Sequence, residues 1–103
     1  MGILSRHTNN TAAGKKVTKE VTVLNRLGLH ARPAAMFVKA CSRHKSEIWV
    51  EKDGEQVNGK SIMGLMMLAA GQGSKLRITC EGGDAESAIS ELESLVLRRF
   101  DEE

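Results

Sequence analysis

The chain has 103 residues, 41% of them hydrophobic, and a formal net charge of +2. That length supports one small domain with a thin core, and the charge is too mild for a nucleic-acid binder: the basic clusters Lys15-Lys16 and Arg43-His44-Lys45 are short, lack interleaved aromatics, and read as solvated surface. No apolar run reaches membrane-spanning length or reads as a signal-peptide core, and Met1-Gly2 is followed by Arg6 where a myristoylation motif needs Ser or Thr.

Residues 1–16 are polar apart from Ile3-Leu4, show no useful period, and read as a flexible N-terminal extension with His7 solvated. Residues 17–103 form the domain. Val17, Val21 and Val23 alternate with polar residues and predict a half-buried strand, with Lys19 the exception on that face. After a loop containing Gly28, Ala34, Phe37, Val38 and Cys41 fall at helical spacing and predict a helix from about Ala31 to Arg43. Pro33 is tolerated in its first turn.

A second strand runs from Ser46 to Lys52, with Ile48 and Val50 on one face and Trp49 on the other; Asp53-Gly54 turns the chain into a short strand, Glu55 to Asn58. Ser61 is a good N-cap for a second helix through about Ala69, buried along Ile62, Leu65, Met66 and Ala69 and stopped by Gly71 and Gly73. Leu76, Ile78 and Cys80 make a fourth strand. Asp84 caps a last helix, Ala85 to about Phe100, whose stripe is Ala85, Ala88, Ile89, Leu92, Leu95 and Val96. Arg98-Arg99 suit its negative end. The order β-α-β-β-α-β-α, with helices on one face, predicts an α+β open sandwich. Cys41 and Cys80 lie on apolar faces without zinc-site spacing, so they read as buried, reduced thiols of a cytosolic protein.

Chemistry concentrates in Gly28-Leu29-His30-Ala31-Arg32-Pro33-Ala34. A helix start leaves backbone N–H groups without acceptors, and the positive end of its dipole favours an anion. An imidazole titrates ordinarily near about 6.5, so a neutral, nucleophilic ring is available at cytosolic pH. The N–H groups of Ala31 and Arg32 are placed to donate to phosphate oxygens, and the Arg32 guanidinium adds a charge-assisted contact. Pro33 fixes the turn, and Gly28 permits the bend that aims the ring or admits a close backbone. These residues point to a histidine that carries a phosphoryl group for a time, since such transfer needs an in-line nucleophile and charge stabilisation. There is no phosphate-binding loop of the nucleotide-hydrolase type, no metal-ligand cluster, no cofactor motif and no Ser-His-Asp order. The chain therefore reads as a carrier rather than a stand-alone enzyme. His44, Asp53 and Asp84 have helix-end, turn and cap explanations.

Ser61 opens its helix, so its hydroxyl satisfies backbone N–H groups. Around it, Ile62, Met63, Met66 and Met67, with Ala35, Met36 and Lys39 on the non-core side of the first helix, either form a soft partner surface or fill core.

Two motifs carry a family resemblance. Gly28-Leu29-His30-Ala31-Arg32-Pro33-Ala34-Ala35 resembles the active-site signature, and Asn58-Gly59-Lys60-Ser61-Ile62-Met63-Gly64-Leu65-Met66 the regulatory-serine signature, of the HPr family. These are histidine-containing phosphocarriers of the phosphoenolpyruvate-dependent sugar phosphotransferase system. The resemblance extends from about Val17 to Phe100. It implies a four-stranded antiparallel sheet covered by three helices. It implies phosphorylation of His30 on Nδ1 by Enzyme I and onward transfer to the A component of a sugar-specific enzyme II, with Arg32 assisting. It also implies that Ser61 is the target of an HPr kinase/phosphorylase where that control exists. A phosphoserine there adds about −1.5 to −2 charge on the partner face and opposes docking. Leu27 departs from members that carry a small polar residue at that position, and the N-terminal extension exceeds the family core.

Other readings remain open at this level: a carrier of the nitrogen-related branch, or a module acting through phospho-Ser61 on a transcription factor. The presence of His30 argues against a purely regulatory paralogue, which lacks that residue. A carrier must dissociate quickly, so transient complexes and a monomer are expected.

Overall fold

Alternation of apolar and polar residues, broken at Lys19 and Trp49, builds the sheet. The computed structural model describes residues 15–102; Ile3-Leu4 and His7 lie outside the described residues. The strands are β1 (Lys16–Thr22), β2 (Glu47–Lys52), β3 (Glu55–Asn58) and β4 (Lys75–Glu81). They form one antiparallel sheet in the order β1-β4-β2-β3. Val21 from β1, Ile48 and Val50 from β2, and Leu76, Ile78 and Cys80 from β4 are all buried. Because side chains alternate at period 2, the opposite face takes Thr18, Trp49, Arg77 and Thr79. There the Thr18 and Thr79 hydroxyls meet at 3.1 Å across paired strands. Lys19 stays exposed on the covered face by reaching out to Glu93 at 3.0 Å.

The covering helices are α1 (Ala31–Ser42), α2 (Ile62–Met67) and α3 (Ala85–Leu97). The α1 stripe buries Ala34, Phe37, Ala40 and Cys41, with Val38 partly buried against the same core. The α3 stripe is the expected one throughout. Helix α1 packs against both α2 and α3, and α3 lies over β1 and β4. No helix among the described residues is long and apolar enough to cross a membrane.

Four local expectations are corrected. Helix α2 buries Leu65, with Leu68 and Ala70 just beyond it, whereas Ile62, Met66 and Ala69 are exposed. It ends two residues early because Ala69 turns left-handed at φ +51°, so an alanine and not a glycine stops it. Asp84 does stand at the start of α3, but its carboxylate caps nothing there. It accepts instead from the backbone N–H groups of Lys45 (2.9 Å) and Ser46 (3.0 Å) and from the Ser46 hydroxyl, tying the α1–β2 loop to α3. In the Arg43-His44-Lys45 cluster Arg43 and Lys45 are exposed as expected, but His44 is not. Arg43 pairs with Glu91, and His44, only 12% exposed, has Nε2 2.8 Å from Glu91 and Nδ1 3.5 Å from Asp84.

The fourth correction concerns the end of α3. The helix stops at Leu97, and Arg99, Phe100 and Asp101 all take left-handed backbone, at φ +59°, +53° and +59°. Such backbone costs non-glycine residues roughly 1 kcal/mol each. Complete burial of the Phe100 ring offsets this by about 2–3 kcal/mol. The Asp101 and Glu102 N–H groups, which bond back to Arg98 and Arg99, add about 1 kcal/mol apiece. The chain thus reverses, drops Phe100 into the core, and brings Glu102 back towards the start of α1.

Candidate functional site

His30 is the N-cap of α1, in extended backbone at φ −81°, ψ −171°. Its carbonyl accepts the first helical bond, from Ala34 N–H at 2.9 Å, but its ring makes no capping bond. The N–H groups of Ala31 and Arg32 therefore lie within the helix's acceptor-free first turn, and Pro33 brings none. The His30 side chain is 36% exposed. A ring thus sits at the surface beside two amides and the positive end of a twelve-residue helix.

The loop that delivers this ring is pinned from behind. Gly28 N–H bonds to the Asn25 carbonyl at 3.2 Å, and Leu29 N–H to the Ala70 carbonyl at 2.8 Å. Gly28 has φ +73°, and a Cβ there would lie 2.5 Å from the Ala70 oxygen. Both reasons for a glycine hold at once: the bend, and the close approach of the Ala70–Gly71 backbone. Asn25, wholly buried, donates from Nδ2 to the Gly28 carbonyl at 2.7 Å.

Glu102 completes the cluster. Its side chain is 18% exposed, and its Oε1 accepts from Asn25 Nδ2 at 3.0 Å. Both of its oxygens lie 3.2 Å from His30 Nε2, and Oε2 accepts from Arg32 Nη1 at 2.8 Å. Desolvation raises this carboxyl, but the hydrogen bonds from Asn25, His30 and Arg32 outweigh it and hold the group below its ordinary value. Asn25 and Glu102 were absent from the sequence-derived site. A buried Asn in a loop before a functional glycine is a faint signal; a glutamate at the tail of the chain gives none.

Ser61 caps α2, its Oγ accepting from Gly64 N–H at 3.0 Å. Ile62, Met63, Met66 and Met67 are 41%, 75%, 43% and 67% exposed, so the methionines of α2 do not fill core. Leu27, in the loop before His30, is likewise exposed, at 70%. Ala35 and Lys39 are exposed on α1. Met36 and Lys39, however, face away from α2: they line a cleft of about 280 Å³ between α1 and α3, with Ala40, Arg43, Glu91, Leu95 and Arg98. Both cysteines are buried, and desolvation pushes Cys41 up to about 12 and Cys80 up to about 11.

The family pattern described as the PTS HPr component phosphorylation site matches residues 17–97. The phosphocarrier protein HPr of Treponema pallidum is 52% identical over 87 residues, spanning 84% of this chain and 99% of that protein. The HPr-like protein Crh of Halalkalibacterium halodurans is 53% identical over 76 residues, 74% of this chain and 90% of that one. Among solved structures, HPr-C-His of Thermoanaerobacter tengcongensis superposes with a TM-score of 0.79 at 49% identity, covering 86% of this chain and 98% of that one.

Proposed function

The chain belongs to the HPr family and is a phosphocarrier of the phosphotransferase system, and we propose that His30 is the residue that carries the phosphoryl group. In this reading Nδ1 of His30 takes the group from the phosphohistidine of Enzyme I and gives it to the A component of a sugar-specific enzyme II. The observation that carries the assignment is a partly exposed, uncapped ring on the N-cap residue of α1, the helix whose first two amides belong to Ala31 and Arg32. The three equatorial oxygens of the transferring group gain those amides and the Arg32 guanidinium, 56% exposed, as donors. Carriage needs no cofactor. The carrier works in the cytoplasm as a monomer; its domain takes in Lys16, the first residue of β1, as well as residues 17–103, with the residues before it as an extension.

The exposed side chains of Ile62, Met63, Met66 and Met67 support α2 as the docking surface, extended by Ala35 and Leu27. Met36 and Lys39, which line the cleft between α1 and α3, stand apart from that surface. Methionine's flexible, polarisable side chain suits a surface that must accept Enzyme I and an enzyme II component in turn.

Incubation with Enzyme I and labelled phosphoenolpyruvate tests the assignment. One acid-labile phosphate per chain is expected, absent in His30→Ala and taken up about tenfold or more slowly in Arg32→Ala. Persistence of acid-labile label in His30→Ala would refute it.

A second role is favoured by one observation: Ser61, partly exposed, stands next to the exposed Ile62 and Met63. Phosphorylation by an HPr kinase/phosphorylase would place a dianion in the docking surface, weakening docking of Enzyme I and creating an acidic epitope for a transcription factor. Kinase and ATP should then give an acid-stable label that is lost in Ser61→Ala. No such label would leave the nitrogen-branch carrier as the better description.

A further inference from the structure

Among the described residues the His30 ring makes its contacts through Nε2 alone, an arrangement that the carrier chemistry uses. A carboxylate offers only acceptors, so the nitrogen that faces Glu102 must bear a hydrogen. That nitrogen is Nε2, 3.2 Å from both carboxylate oxygens. In a neutral imidazole the other nitrogen, Nδ1, then carries the free lone pair. The carboxylate itself is held in place by Asn25 Nδ2 and Arg32 Nη1. Asn25 is in turn fixed by the Gly28 carbonyl, within the loop that presents the ring.

We propose that Glu102 is a positioning residue for phosphoryl transfer at His30, its carboxylate keeping the proton on Nε2 so that Nδ1 presents the nucleophilic pair. The inference rests on His30 being the acceptor. In the step itself the Nδ1 pair forms the new N–P bond. The bond between phosphorus and the donor's ring nitrogen breaks, and its electron pair returns to the donor. The proton stays on Nε2, and the positive charge that develops on the phosphorylated ring faces the Glu102 carboxylate. Arg32 serves both partners: among the described residues Glu102 and the Phe100 carbonyl engage it through Nη1 alone, and the other N–H groups of its exposed guanidinium serve the phosphoryl oxygens.

The path of the chain gives this contact its reach. Glu102 lies 72 positions after His30 and returns to it because the left-handed turn Arg99–Asp101 reverses the chain around the buried Phe100. Since Glu102 follows the last buried aromatic, its substitution leaves the core intact, which a melting curve checks.

The test uses the full chain with ¹⁵N-labelled histidine, observed at a pH where the ring is neutral, together with steady-state phosphoryl uptake from Enzyme I. The native protein should show a single tautomer with hydrogen on Nε2. Glu102→Ala should move both ring-nitrogen shifts towards tautomer-averaged values and lower kcat about tenfold, with the KM for the carrier unchanged. Glu102→Gln, whose amide oxygen accepts the same hydrogen bond, should restore the ring signature and part of the rate. Unmoved ring shifts in Glu102→Ala, or a change confined to KM, would overturn the proposal. Acid-labile label surviving in His30→Ala would instead overturn the acceptor assignment on which it rests, whatever Glu102 does.

Discussion

Gly28→Ala should destabilise the protein far more than an alanine at an equally left-handed but open glycine. At φ +73° a side chain costs roughly 1–2 kcal/mol by conformation alone. The new Cβ would also stand 2.5 Å from the Ala70 oxygen and 2.8 Å from Gly71 Cα, both backbone atoms that cannot swing aside as a side chain does. The loop must retreat, and the bond from Leu29 N–H to the Ala70 carbonyl is lost, adding about 1 kcal/mol. The expected total is about 3 kcal/mol, a large share of the roughly 5–15 kcal/mol that holds a small domain folded. For a domain of this size that lowers Tm by about 10–25 °C. Gly54→Ala is the control: its φ is +85° but nothing lies within 4 Å, so only the conformational cost of about 1–2 kcal/mol applies. Thermal and urea unfolding of the two variants measure the difference directly. Equal losses in both would refute the close approach, and with it the account of how the His30 loop is pinned. Phosphoryl uptake by Gly28→Ala, measured below its Tm, should also fall, because the retreating loop carries the ring with it.

Other outcomes follow from the same contacts. The Ser46 hydroxyl, then the Lys45 and Ser46 amides, hold the Asp84 carboxyl at about 2, well below its ordinary value, so its contribution is present above the unfolded value near 3.8 and is lost as pH falls to about 2. Urea midpoints should therefore drop across that window in the native protein and drop less in Asp84→Asn. Ser61→Ala removes the bond to Gly64 N–H and should cost about 1 kcal/mol, read as a Tm fall of about 4–8 °C, whereas Ser61→Asp, another good cap, should melt near the native protein. Cys41 and Cys80, with thiols pushed up to about 12 and about 11, should resist a thiol reagent at pH 8 in the folded protein and react at once in denaturant. Met63→Asp with Met67→Asp should raise the KM for Enzyme I without altering Tm by more than a degree or two, since both side chains are mostly exposed.

The α2 region shows where reading by period fails. Its helix has only six residues, under two turns, so one stripe cannot be distinguished from its neighbour. Of the expected stripe Ile62–Leu65–Met66–Ala69 only Leu65 is buried; Leu68 and Ala70 are buried beyond the helix's end, where the left-handed turn at Ala69 redirects the chain. The thirteen-residue α3 has enough turns for a single solution, and its stripe was read correctly. Asp84 illustrates another failure. An Asp before a helix is a cap by local preference. Here the α1–β2 loop arrives with the Lys45 and Ser46 amides and a hydroxyl, a better set of donors than the helix's own first turn offers.

Local physics fixed the strands, the long helices, the N-cap position of His30 and the need for glycine at 28, because periodicity, caps and turns depend on residues a few positions apart. The motif around His30 was therefore visible from the sequence with its two amides and its arginine. What folding alone decided was which distant groups meet that ring. Asn25 and Glu102 stand 77 positions apart, yet they share a hydrogen bond beside His30. No local pattern encodes that meeting: it depends on a helix ending at Leu97, a left-handed reversal and one buried phenyl ring, each settled by competition for space in the assembled core.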